Sequence, residues 1–147
     1  MNNKFKLDTV LRFRHHEEER RQKEFAEAQR ALEEEQAVLS AHLDVQRKTE
    51  LDFQNCQNNS PTGPQAAMYR QFLQRLSALI AEQQAKVRDA EIACEKTRST
   101  LLEAMKKRKA LERLKEKALQ TYLENLNKEE NKFIEEMAIN RFTLNQQ

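Results

Sequence analysis

The side chains able to do chemistry are few in this chain and poorly spaced for it. His15 and His16 are adjacent, so on a helix they point about 100° apart and cannot share one metal ion. His15 with Glu19 is only a two-ligand pair, short of the three or four protein ligands of a zinc site. Glu17 to Glu19 and Glu33 to Glu35 are carboxylate runs, yet nothing around them suggests the desolvation that general acid–base work requires. Cys56 and Cys94 lack Cys-x-x-Cys spacing and read as reduced thiols in a cytosolic protein. Gly63 is the only glycine, which rules out a Gly-rich phosphate loop. The chain is therefore expected not to be an enzyme, with no catalytic, cofactor-binding or metal-ligating residue and no cofactor.

One further cluster carries charge rather than chemistry. Lys106, Lys107, Arg108, Lys109, Arg113, Lys115 and Lys117 stand against only Glu112 and Glu116. Two readings stay open, a solvated helix face and a docking site for an acidic protein surface. Nucleic acid is the weaker fit, because no aromatic groups interleave with the basic run and the net charge of the whole chain is only +2.

These residues must be positioned by long helices. Charged residues make up 34% and hydrophobic ones 38%, and the mean hydropathy is -0.96. Good helix formers dominate, and the apolar residues suffice for a thin seam but not a broad core. From Phe5 to about Gln54 there is no Gly or Pro, and Leu11, Glu18, Phe25, Leu32, Leu39, Gln46 and Phe53 recur at heptad spacing. Asn55 to Pro64 gathers the one Gly and both Pro residues and is the expected reversal, over about 55–64. Thr62 followed by Gln65 matches a capping box, with Ser60 an alternative cap. A second helix is expected over about 65–140, with seam residues Leu73, Ile80, Val87, Cys94 and Leu101 and, offset, Tyr69, Leu76, Ala90, Ala104 and Leu111. The fold class is all-α, a long antiparallel two-helix coiled-coil hairpin forming a single unit over 1–147, its helices roughly 75 Å and 115 Å long.

A turn centred near Asn59 and Ser60 makes residues whose numbers sum to about 119 face each other, placing Phe25 near Cys94 and Leu11 near Arg108. The second helix then runs out of partner near Leu114. Its overhang, Lys115 to Gln147, still displays Leu119, Tyr122, Leu126, Phe133, Met137 and Phe142, an unpaired apolar stripe of the kind that marks an intermolecular contact. Near the turn, Phe72 and Leu79 lie beside the seam formed by Tyr69, Leu73, Leu76 and Ile80, as part of a wider core or as a binding face. No stretch approaches the ~18 apolar residues of a membrane span, and Met1 to Arg14 lacks the apolar core of an export signal.

Three segments, in this order and spacing, resemble the FliJ family of the bacterial flagellar type III protein export apparatus. They are Phe5-Lys-Leu-Asp-Thr-Val-Leu-Arg-Phe-Arg14 with Glu17 and Glu18; Tyr69-Arg-Gln-Phe-Leu-Gln-Arg-Leu76; and Lys107-Arg-Lys-Ala-Leu-Glu-Arg-Leu-Lys-Glu-Lys117 with Tyr122 and Glu130 to Ala138. The resemblance implies a soluble coiled coil, similar to the central stalk of rotary ATPases, whose joined chain ends enter the ring of the export ATPase (FliI). It also implies contacts with the membrane export gate (FlhA) and with export chaperones. By position, Phe72 and Leu76 match the family's gate-binding patch, and Leu79 and Gln83 complete that face, although enteric members carry other residues at these last two positions. For the ATPase, location points to Leu7, Leu11, Arg12 and Arg14, with Lys107, Lys109, Arg113 and Leu114 across from them. The expected protein is monomeric when alone, cytoplasmic, and peripheral at the inner membrane through its partners, with no nucleic acid and no membrane insertion. An injectisome stalk, a scaffold dimerising through its overhang and a nucleic-acid-binding hairpin remain the alternatives.

Overall fold

The structure is a computed structural model that describes residues 2–59 and 62–146, with side chains from Lys6 onward. It is an all-α helical hairpin of two helices, α1 (Asn2–Asn58) and α2 (Gly63–Asn145), and the described residues contain no strand. Both helices run past their expected ends, for local reasons. Asn55, Gln57 and Asn58 are polar but break nothing, so α1 continues until the amide of Asn59 bonds the carbonyl of Cys56 at 3.2 Å. Thr62 acts as the N-cap of α2. Its amide donates to Gln65 Oε1 and the Gln65 amide donates to Thr62 Oγ1, both at 3.4 Å, the reciprocal pattern of a capping box. Gly63 and Pro64 thus fall in the first helical turn, where a missing proline N–H costs nothing. Ser60, the alternative cap, and the Phe5 side chain lie outside the described residues. At the far end no breaker follows Asn140, and the Thr143 hydroxyl donates to the Ile139 carbonyl at 2.9 Å within an unbroken helix.

The inward faces follow the heptad columns. On α1 the column from Leu11 to Phe53 and the one from Leu7 through Arg14, Arg21, Ala28, Glu35 and His42 to Cys56 are half-buried or buried throughout. The chain clusters into two compact units, one of residues 19–103 and one of residues 1–18 with 104–147. In the first, Leu76, Ile80 and Val87 are buried, each contributing about 1.5–3 kcal/mol, and the Phe53 and Tyr69 rings meet at 5.4 Å beside the turn. In the second, Ala104 and Glu18 are buried. No large side chain among the described residues is fully enclosed, as expected when two helices share a seam and most of each stays wet.

Register in the second unit departs from the expected facing rule. Arg108 pairs with Glu18, seven residues along α1 from the expected Leu11, His15 Nε2 lies 3.6 Å from Glu112 Oε1, and Lys115 Nζ lies 2.7 Å from Asp8 Oδ1. Helical side chains lean toward their own N-terminus, and in antiparallel helices the two leans converge. Long residues therefore meet partners about one to two turns from the level that the facing rule gives.

Candidate partner-binding surfaces

Within residues 19–103, the four residues expected to form a gate-binding face divide between two faces. Leu76 and Gln83, one heptad apart, lie in the seam and are each 5% exposed. Gln83 Nε2 donates to the Glu35 backbone carbonyl at 2.9 Å and to the Glu35 carboxylate. A buried amide held in this way fixes register and is not offered to a partner. Phe72 and Leu79, also one heptad apart, are 46% and 48% exposed. Phe72 closes one end of a shallow groove beside the turn whose other lining residues include Thr49, Asp52, Cys56, Met68 and Tyr69. The surface available for contact is thus Phe72 and Leu79, extended toward the turn by Met68, while Leu76 and Gln83 hold its backbone in place.

Within residues 1–18 and 104–147, the eight positions assigned to ATPase contact also sort by face. Leu7, Leu11 and Arg14 are half-buried against α2, whereas Arg12, Lys107, Lys109, Arg113 and Leu114 are exposed. Arg14 Nε is enclosed and meets no hydrogen-bond partner among the described residues. Ion pairs across the helices involve other residues of this unit. Arg108 forms a cross-helix ion pair with Glu18 through Nε, and its Nη1 bonds Glu112 at 3.0 Å. Hydrogen bonds that Arg108 donates to Glu18 first and then to Glu112 raise its pKa further above the ordinary arginine value. Sequence reasoning missed this clasp. Its one signal was Glu18, a charged residue in an otherwise apolar column.

Past Lys115 the character of α2 changes, and every described residue from Glu116 to Gln146 is exposed. Leu119, Tyr122, Leu123, Leu126, Phe133, Ile134, Met137, Ile139, Phe142 and Leu144 are all among them. The apolar stripe anticipated beyond the paired region is present and is exposed along its described length.

No group of three or more His, Cys, Asp and Glu side chains among the described residues is placed to hold a metal ion. No helix among them is long and apolar enough to cross a membrane. Cys56 and Cys94 are free and half-buried. Among known proteins, the family described as Flagellar FliJ protein matches residues 3–147. No curated protein and no solved structure matches.

Proposed function

The chain belongs to the flagellar FliJ family, a family of flagellar-export coiled-coil proteins, and from that premise we propose that it is a non-catalytic stalk coupling an export ATPase to the export gate. One observation carries the reading. α2 continues for some thirty residues past Lys115, whose Nζ pairs with Asp8, and exposes large apolar side chains all along that length. An isolated helix spends little of its folding energy productively by displaying such residues to water. A partner that encloses the helix end removes the cost, and a ring-shaped ATPase has a suitable shape.

In this reading the joined region of residues 1–18 and 104–147 enters the ATPase ring, with Leu7, Leu11, Arg12, Arg14, Lys107, Lys109, Arg113 and Leu114 as its contact region. Phe72 and Leu79 present the gate-binding face, supported from within by Leu76 and Gln83. Export chaperones are the third class of partner. The protein itself binds no nucleotide and reaches the cytoplasmic face of the inner membrane through its partners. Purified protein mixed with its cognate export ATPase is expected to raise the hydrolysis rate and favour hexamers in light scattering. No change in either quantity contradicts the coupling. The flagellar assignment is favoured over an injectisome stalk by the family match across residues 3–147.

A further inference from the structure

We propose that Lys106, Lys109, Arg113 and Lys117 form a docking stripe for a protein surface bearing carboxylates at about one per helical turn. The inference rests on the reading above in taking that surface to belong to the export ATPase. It goes further in separating, within the basic run, an exposed stripe from Arg108 and Lys115, which are paired.

The division follows from register. Ala104, Arg108 and Lys115 face α1, where Ala104 is buried and the two cations are held by Glu18, Glu112 and Asp8. Residues 106, 109, 113 and 117 fall on successive turns of the side turned away from α1. All four are exposed, and none takes part in an ion pair among the described residues. Lys109, Arg113 and Lys117 stand at i, i+4 and i+8, a ladder of like charges that costs the isolated helix about 0.2–0.5 kcal/mol per step. The intervening Glu112 is engaged by Arg108 and lies near His15. The stripe therefore weakens the helix that carries it, and a ligand of opposite charge offsets that cost.

The geometry points to protein carboxylates rather than phosphates. The four cations form a single row roughly 16 Å long, with Ala110 and Leu114 beside it in a shallow, partly apolar groove that also includes Glu116. A row one side chain wide with an apolar margin fits another helix or a strand edge. No aromatic residue lies between positions 103 and 117 to stack on bases or anchor at a lipid interface.

The test uses the full chain and its cognate export ATPase, with affinity measured by calorimetry at several salt concentrations. Lys109→Glu/Arg113→Glu is expected to weaken binding by about tenfold or more at low salt and to flatten its salt dependence, whereas Lys115→Gln, from the paired set, changes it less than about threefold. Circular dichroism checks that the helices persist. If the double reversal unfolds the chain, Lys109→Gln/Arg113→Gln is used instead and is expected to weaken binding in the same direction. Wild-type binding that the stripe variants leave unaltered overturns the stripe and leaves the ATPase reading standing. No binding by the wild type overturns both. Loss of retention on phosphatidylglycerol vesicles in the stripe variants, with ATPase affinity unchanged, assigns the row to lipid and likewise overturns the proposal.

Discussion

Two stretches of α2, from Leu76 to Val87 and from Leu119 to Leu144, use the same amphipathic pattern and meet different fates. In the first, Leu76, Ile80 and Val87 are at most 8% exposed and Gln83 is tied to Glu35. In the second, no described residue is even half-buried, and Phe133 is 63% exposed. Apolar spacing makes a stripe, and only an adjacent helix turns the stripe into a core. The first stretch stores folding energy, while the second retains the capacity to bind.

The contrast can be broken or sharpened by substitution, most strongly at the seam. Ile80→Ala is expected to cost about 2–4 kcal/mol in chemical denaturation, because a buried residue on a two-helix seam has few neighbours able to collapse into the gap. A cost under about 0.5 kcal/mol erases the distinction between the stretches. Gln83→Ala comes next, at about 1–3 kcal/mol, since it leaves the buried side of Glu35 without its donor. If Gln83 contributes to gate affinity only through register, Gln83→Leu keeps gate binding wherever circular dichroism shows the hairpin intact, while Phe72→Ala weakens it in an intact fold.

A smaller effect is expected from Arg108→Gln. The shift in Arg108 is upward, so its contribution is complete below its ordinary pKa and is lost only as pH rises through the still higher folded value. The difference in melting temperature between wild type and Arg108→Gln should therefore stay constant from about pH 7 to about pH 10. A difference that declines across that interval assigns the effect to another group. The smallest change is expected at Phe133→Ser, within about 0.5 kcal/mol, because the exposed ring contributes little to the fold. A large loss of stability there places Phe133 in a core that the hairpin lacks.

The sequence made the columns legible because heptad spacing depends on residue type alone. Leu11 through Phe53 on α1 and Leu73 through Leu101 on α2 lie inward as spaced. Thr62 and Gln65 were legible for the same reason, since a capping box is local chemistry. The partners across the helices were less so. Placing Arg108 against Glu18 requires the end of α1, the start of α2 and the lean of both side chains together. Without register, the seven cations between Lys106 and Lys117 formed one block, and the division between paired and unpaired members was invisible. Phe72 and Leu76 were likewise grouped by resemblance, and Leu79 and Gln83 by helical spacing, although Leu76 and Gln83 face α1 and Phe72 and Leu79 face solvent.

Hydrogen exchange on the full chain, with and without its export ATPase, tests the central claim most directly. Alone, amides from Glu116 to Asn145 should exchange much faster than those from Leu76 to Val87. On adding the ATPase, protection should rise from Lys106 onward, with the 76–87 segment unchanged. An overhang already protected in the free chain, or one that gains no protection in the mixture, contradicts the view that this end of α2 is completed by a partner.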